Sequence, residues 1–141
     1  MSPSQRQIVV NIVLVILVFN VGVLGYRLTK TPVELVEVTL NKITISTDEE
    51  LTITIHNYGF KWISSGSDSD IYRVYDNGTI QKFQYPDNFA WNLMLYKIVP
   101  LIGSKSERIY AMLEPGNYFV KKDFDIQGYG HYYKIASFTV R

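Results

Sequence analysis

Two histidines are the first residues in this chain of 141 that suggest chemistry. His56 ends one alternating apolar run and His131 opens another, and Asp68 and Asp70 lie in a polar stretch between them. Imidazole and carboxylate groups can bind zinc, and Ser, His and Asp are the residue types of a hydrolase triad. The triad is not supported by a GxSxG motif. The sequence also has no calcium-type loop and no phosphate-binding loop. We therefore expect a non-enzyme, with no catalytic residue, no metal and no cofactor.

The composition excludes further classes of function. The chain has no Cys, so it forms no disulfide, no thiolate metal site and no lipid attachment through an N-terminal Cys. Its net charge of +1 argues against a nucleic-acid partner, since nucleic-acid binders usually carry a concentrated basic face. Aromatic residues make up 14 % of the chain, including 11 Tyr, which is typical of β-strands and binding surfaces.

The N-terminal segment differs from the rest of the chain. Residues 8–26 contain no charge, and as a helix they would extend about 28 Å, close to the thickness of a bilayer's hydrocarbon core. We predict a single-pass transmembrane helix that contacts membrane lipid through residues 8–26. The alternative is a signal sequence cleaved near Gly25. The predicted organisation is a tail over residues 1–7, a transmembrane helix or signal anchor over 8–27, a linker over 28–32 and a β-domain over 33–141.

Small and polar residues interrupt the apolar segment. Asn11 and Asn20 could hydrogen-bond to another helix, although their spacing places them on opposite faces of a helix. Gly22 and Gly25 would allow close approach of a neighbour. These four residues are candidate helix–helix contacts of a homo-oligomer or a larger membrane or filament assembly. The alternative is a simple anchor that tolerates them.

Period-2 patterns dominate after Pro32, and turn residues recur every 8–12 positions. Val33–Val38 and Leu40–Ser46 are predicted to form a first, bent strand, and a long loop is predicted from Asn57 to Ser69. Asn77-Gly78 predicts a type I′ hairpin turn, because both residues accept positive φ. The other predicted strands lie at 51–56, 71–75, 80–83, 90–99, 105–112, 118–124 and 132–140. The pattern predicts an all-β fold, an immunoglobulin-like antiparallel β-sandwich of 7–8 strands with one N-terminal transmembrane helix.

Leu113-Glu114-Pro115-Gly116-Asn117-Tyr118 lies between the third-last and second-last predicted strands. Pro-Gly is a turn signal. A Tyr at this place in a Greek-key sandwich can fold its hydroxyl back onto the preceding connection as a tyrosine corner. The alternative is an ordinary hairpin with a packed Tyr.

Four stretches together resemble the bacterial immunoglobulin-like domains of membrane-anchored surface proteins. They are LTITIHN (51–57), IYRVYDNG (71–78), LEPGNYFVKKDF (113–124) and YYKIASFTV (132–140). The resemblance implies an Ig-like fold outside the membrane and no established catalysis. The chain departs from that pattern in lacking the anchoring Cys and in having Phe83 where a Trp is usual. A looser likeness, of architecture only, is to archaeal surface-filament and motor-stator proteins.

Two predicted loops carry large aromatic rings at one end of such a sandwich. Tyr58, Phe60 and Trp62 lie in one loop, and Tyr129, His131 and Tyr132 lie in the other. These six residues form a candidate surface for a protein or glycan partner. The alternative is that the rings close the end of the core. Asn77-Gly78-Thr79 is in addition a candidate glycosylation site.

Two classes of function remain open. The first is a membrane-anchored extracytoplasmic module for recognition or adhesion at the cell surface. The second is a structural subunit that assembles through its apolar helix. The positive charges that flank the helix are nearly balanced, so they do not determine on which side of the membrane the C-terminal domain lies. We place it outside, because it has the character of a surface β-domain.

Overall fold

The computed structural model describes residues 2–85, 94–109 and 112–141. The chain divides into two units, Met1–Thr31 and Pro32–Arg141. The first unit is built around a helix and the second around two β-sheets.

Helix α1 spans Pro3–Leu28, a length of about 39 Å. It begins five residues before the expected start at Ile8, because Ser2 and Gln5 form a capping box and Pro3 occupies the first turn. None of its residues is buried. Among the described residues it is the one helix long and apolar enough to cross a bilayer, which fits a membrane anchor or a signal sequence.

The second unit begins with a short 3-10 helix, Pro32–Leu35, and continues with ten strands in the described residues. One sheet has the order β1-β3-β8, and the other has the order β2-β10-β9-β4-β7, with the β5-β6 hairpin also paired to β9. The strands are β1 Val36–Leu40, β2 Thr44–Ile45, β3 Leu51–Asn57, β4 Ile63–Gly66, β5 Asp70–Val74, β6 Ile80–Lys82, β7 Leu95–Ile98, β8 Gly103–Ile109, β9 Gly116–Ile126 and β10 Gly130–Val140.

The sandwich core follows from the alternation in the sequence. On β3, Leu51, Ile53 and Ile55 are buried, while the residues between them face outward. On β9 the buried positions are 118, 120, 122, 124 and 126. The apolar side chains between the sheets form two clusters, of which one contains Leu51 and Ile53 and the other contains Ile55.

A buried ion pair joins the two sheets. Lys122, on β9, is 2 % exposed, and its ammonium group donates to Glu107 Oε2 on β8 at 2.6 Å. It also donates to the carbonyl oxygens of Gly66 at 2.6 Å and Asp68 at 2.9 Å. Burial raises the pKa of the Glu107 carboxyl, and the hydrogen bond from Lys122 opposes this shift. The pair fixes how β4, β8 and β9 face one another.

Several predicted elements differ in the structure. There are ten described strands instead of seven or eight, because the first predicted strand splits into β1 and β2 and the predicted loop contains β4. The start of the first predicted strand is instead part of the 3-10 helix Pro32–Leu35. The sheets are not wholly antiparallel, because β2 pairs with β10 in parallel, Thr44 opposite Thr139. The predicted strand over 90–99 lies partly outside the described residues, which contain only β7 from it.

The loop predicted from Asn57 to Ser69 contains a strand, β4. Its Ser and Gly residues are typical of turns, but β4 pairs with both β7 and β9. The hydroxyl of Ser65 is buried there and donates to the carbonyl of Asp123 at 2.9 Å. The pairing partners, rather than local propensity, decide this conformation.

The hairpin at Asn77 is present, but the predicted type I′ turn is wrong. Gly78 has φ +82°, whereas Asn77 is not among the described residues of positive φ. The carbonyl of Tyr75 accepts from Gly78 N–H at 2.9 Å, and Tyr75 N–H donates to Thr79. This is a three-residue loop in which Gly78 alone takes the left-handed conformation. Asn77 Oδ1 instead accepts from Thr79 N–H at 2.9 Å.

The tyrosine corner is present. The Tyr118 ring is buried and stacks on Phe138, with ring centroids 5.5 Å apart. Its hydroxyl donates to the carbonyl of Glu114 at 2.7 Å, across the Pro115-Gly116 turn. The turn that enters β9 is therefore tied to the core by one side chain.

We expect Tyr118→Phe to lower the free energy of unfolding by about 1–3 kcal/mol, because the Glu114 carbonyl loses its partner while the ring stays packed. Urea denaturation of the full chain in detergent measures this. Tyr133→Phe, at an exposed position, is the matched control and should be neutral. Equal effects of the two substitutions would contradict the corner's role.

We expect Lys122→Met to cost about 3–5 kcal/mol, because it leaves the Glu107 carboxylate and two carbonyls buried without their donor. The double variant Lys122→Met/Glu107→Leu should recover much of this loss, because no unpaired charge remains. A double-mutant cycle by chemical denaturation measures both effects. A double variant as unstable as the sum of the two single variants would contradict the predicted coupling.

Candidate functional site at one end of the sandwich

Three loops meet at the end of the sandwich where β3 ends and β8 begins. The first follows β3 (58–62), the second lies between β7 and β8 (99–102), and the third joins β9 to β10 (127–129). Leu101 N–H donates to the carbonyl of Gly59 at 2.8 Å, and Gln127 N–H donates to the carbonyl of Trp62 at 3.0 Å. The first loop is therefore bonded to both of the others.

Asn57 positions this end of the sandwich. Its side chain is buried, and Nδ2 donates to the carbonyls of Lys61 at 2.8 Å and Ile98 at 3.2 Å. Its Oδ1 accepts from Gly59 N–H at 3.1 Å. One amide thus holds the first loop closed and ties it to the strand that leads into the second. The sequence showed only an Asn where a strand ends, so this role was not predicted.

The second loop contains a strained turn. Ile102 N–H donates to the carbonyl of Pro100 at 2.9 Å, which closes a γ-turn centred on Leu101. Leu101 has φ +73° and is the one non-glycine residue of positive φ among those described. This form of γ-turn is rare and costs energy. The backbone also packs closely just after this turn. A Cβ added at Gly103 would lie 2.3 Å from the carbonyl oxygen of Val99, so the turn needs a glycine at that position.

The six residues of the predicted aromatic surface do not form one surface in the structure. Tyr58, Phe60, Trp62 and Tyr129 are exposed on the first and third loops. Exposed Leu101 and Ile102, which the sequence did not single out, extend this group on the second loop. We call these six residues the apolar loop end: Tyr58, Phe60, Trp62, Leu101, Ile102 and Tyr129.

His131 and Tyr132 point to opposite faces of β10. The Tyr132 ring packs against Phe124, with centroids 6.4 Å apart, and helps to close the core. His131 faces outward, and each ring nitrogen lies 3.2 Å from one carboxylate, Asp123 or Asp125. The alternation of a strand separates these neighbours, and His131 belongs to the outer face of its sheet.

The two histidines do not form a joint site. His56 lies on the outward side of β3, in the other sheet, where it stacks on Tyr58 and bonds to Thr39 at 3.2 Å. No group of three or more metal-ligating side chains of the kind that holds an ion occurs in the described part of the chain. Beside Trp62 lies an open groove of about 470 Å³ lined by Trp62, Ser64, Lys97, Asp125, Ile126 and Gln127.

A second group lies on the outer face of β5, β9 and β10, where Tyr72, Phe119 and Lys121 are half-buried and the other members are exposed. Tyr72 and Phe119 stack with centroids 5.0 Å apart. On the next strand Tyr133 and Ile135 are 59 % and 56 % exposed. The ammonium of Lys121 lies 4.9 Å from the centroid of the Tyr133 ring. We call this group the aromatic sheet face: Tyr72, Phe119, Lys121, Tyr133 and Ile135.

The two asparagines that were predicted to contact another helix form hydrogen bonds within α1. Asn20 Nδ2 donates to the carbonyl of Ile16 at 2.7 Å, and Asn11 Oδ1 accepts from Gln7 at 3.2 Å. A Cβ added at Gly22 or Gly25 would meet nothing within 4 Å.

Asn77 is exposed in its hairpin turn, at the end of the sandwich away from the three loops. Its use as a glycosylation acceptor stays a prediction.

No protein-family profile and no curated protein sequence matches the chain. Among solved structures it is similar to the ASH/PapD-like domain 7 of human CEP192, with 15 % identity and a TM-score of 0.46, over 79 % of this chain and 87 % of that one. The structural-genomics target SoR45 has 18 % identity and a TM-score of 0.43, over 74 % and 82 %. The sporulation control protein Spo0M from Bacillus subtilis has 19 % identity and a TM-score of 0.41, over 75 % and 48 %.

We expect Asn57→Asp to destabilise the sandwich by about 1–3 kcal/mol or more at pH 7, because two carbonyls lose their donor and face a buried carboxylate. Burial raises the pKa of such a carboxyl, so it takes up a proton in the folded state before it does so in the unfolded state. The deficit should therefore shrink as the pH falls from 7 to 4.

Thermal unfolding of the full chain at several pH values measures this effect. Asn117→Asp is the matched control, because Asn117 Oδ1 acts as an acceptor, from Thr139, and Asp keeps that role. A deficit that is absent, or that grows on acidification, would contradict the role assigned to Asn57.

Proposed function

We propose that this chain is a non-catalytic, membrane-anchored module whose β-sandwich lies outside the cytoplasm and recognises a protein partner. Helix α1 supports the anchor, because it is apolar on all sides, none of its residues is buried, and it is long enough to span a bilayer. The aromatic sheet face supports recognition and is the observation that carries the proposal.

The outward side of a half-solvated sheet normally carries polar residues, and on this one aromatic and apolar side chains lie among the charged ones. The pairing register places Tyr72 beside Phe119 on one level and Lys121 beside Ile135 on the next. Tyr133 follows on the third level, opposite Asp123. At least one aromatic or apolar side chain thus occupies each of three consecutive levels of this face. A contiguous, partly exposed group of this kind marks an interaction surface more often than a scatter of single residues does.

The charges on this face favour a protein over a glycan. Lys121 pairs with Asp123 at 3.2 Å, and Lys82 pairs with Asp70 at 2.8 Å. Aromatic rings bordered by polar groups reproduce the centre and rim of a protein–protein interface. Tyr and Phe bury a large area with few rotatable bonds, so they lose little entropy on binding.

The alternative is a structural subunit that assembles through α1. Asn11 and Asn20 favour it, since a simple anchor has no need of amides in its apolar stretch. Their hydrogen bonds within the helix weaken this argument, because the amide of Asn20 already donates to Ile16. We therefore rank recognition by the sandwich first.

A photo-crosslinking amino acid at position 135, in the full chain expressed in its own membrane, tests the proposal. We expect a hetero-adduct of defined mass whose yield falls at least tenfold when Tyr133→Ser is added. The same probe at Ser106, exposed on the outer side of the other sheet, is the matched control and should give no such adduct.

Equal yields at positions 135 and 106, or no adduct at 135, would contradict recognition through this face. An adduct of twice the chain's mass would identify a second copy of the chain as the partner of this face and would contradict recognition of a different protein.

A further inference from the structure

We propose that the apolar loop end docks on the lipid surface of the membrane that holds α1. This inference rests on the anchoring part of the proposed function. It assigns Tyr58, Phe60, Trp62, Leu101, Ile102 and Tyr129 to the headgroup region of the bilayer instead of to a soluble partner.

The pairing register identifies the end of the sandwich at which the chain enters it. Val36, the first residue of β1, lies opposite Asn57, the last residue of β3. Gly103, the first residue of β8, lies opposite Asn57 on the other side. Tyr58 N–H donates to the carbonyl of Leu35 at 2.9 Å. The segment that enters the sandwich is therefore bonded directly to the first of the three loops.

The length of the linker limits how far this end can lie from the membrane. Thr29, Lys30 and Thr31 join the last residue of α1 to Pro32. A fully extended chain covers about 3.5 Å per residue, so the connection reaches at most about 14 Å. This is about twice the thickness of one headgroup layer, which is about 5–8 Å. The covalent chain therefore limits the separation between the end of α1 and Pro32, and it allows the loops at the entry end to reach the lipid surface.

The side chains at this end suit a bilayer interface. Trp and Tyr concentrate at the level of the headgroups, because their rings are apolar and carry a polar group. Ile102 is 86 % exposed, an unusual position for an aliphatic side chain on a soluble surface. The loops 58–62, 99–102 and 127–129 contain no acidic residue and one cation, Lys61.

The turns at the opposite end have the reverse character. Residues 46–50 and 75–79 carry four acidic groups, Asp48, Glu49, Glu50 and Asp76. Carboxylates are repelled by the negative surface potential of a membrane with anionic lipids. Lys42 pairs with Glu49 and Arg108 pairs with Glu50, which reduces the net negative charge of the far end. Exposed Glu34 lies in the 3-10 helix at the entry end, and the three loops themselves carry no carboxylate. The loops of the two ends therefore differ in the sense that docking by the entry end requires.

The strained turn is an independent observation in favour of a function at this end. The conformation of Leu101 is one that glycine adopts freely and leucine adopts at a cost. A Leu there presents an aliphatic side chain at the tip of a loop that Gly would stabilise. The cost is understandable if the side chain inserts between lipids.

The absence of Cys allows a direct test on the full chain, reconstituted in phosphatidylcholine vesicles. Ile102→Cys labelled with an environment-sensitive fluorophore reports on the loop end. Asn77→Cys with the same label, in the hairpin at the far end, is the matched control. Vesicle flotation establishes that the chain is anchored. Spin-labelled lipids and aqueous iodide then quench the two probes from the membrane side and the water side.

We expect the probe at position 102 to be quenched by lipid-borne spin labels, and its iodide quenching constant to be at least threefold below that of position 77. Floating protein with both probes equally open to iodide would overturn docking and leave the anchor in place. A probe at 102 shielded from both quenchers would mean that a protein covers the loop end, and would also overturn it. Failure to float would overturn the anchor itself.

Leu101→Gly, added to the Ile102→Cys protein, separates docking from folding. We expect an unchanged or higher Tm, because the backbone strain is relieved, together with weaker lipid-borne quenching at position 102. Unchanged quenching in that variant would contradict the role of the Leu101 side chain in docking.

Discussion

The ion pair between Lys122 and Glu107 is the interaction that aligns the two sheets of the sandwich. It lies between two apolar clusters, and it joins strands that belong to different sheets. The other carboxylate oxygen of Glu107 is buried and has no hydrogen-bond partner in the described part of the chain. Such a pair contributes little net stability, since desolvation offsets most of the attraction. Its three donor bonds instead specify one alignment of the sheets, which apolar contacts alone would leave less well defined.

The sequence predicted the parts of the fold that local chemistry determines. The alternation of Leu51, Ile53 and Ile55 predicted a half-buried strand, and Pro115-Gly116 with Tyr118 predicted the corner whose hydroxyl bonds Glu114. Local preference was not sufficient where tertiary pairing acts. Ser64–Gly66 has the composition of a loop, yet it is a strand because β7 and β9 supply its hydrogen bonds.

The candidate sites were harder to predict, because they depend on which loops and faces meet. Sequence order grouped His131 with Tyr132, and the pleat of β10 sends the two side chains to opposite sides. Leu101 and Ile102 looked like an ordinary apolar loop, since a γ-turn has no clear sequence signal. The sequence analysis did not single out Lys122, although the alternation of β9 places it inward, and its partner lies on a different strand, β8.

The parallel pairing of β2 with β10 has a consequence for biosynthesis. Thr44 and Thr139 are about 95 residues apart, so this edge of the sheet closes only when nearly all of the domain has been synthesised. At a translation rate of about 5–20 residues per second, α1 is made roughly 5–20 s before residue 139. The synthesis of α1 is therefore complete while the β-domain is still an unfolded chain. The topology thus separates in time the completion of the apolar helix from the folding of the sandwich.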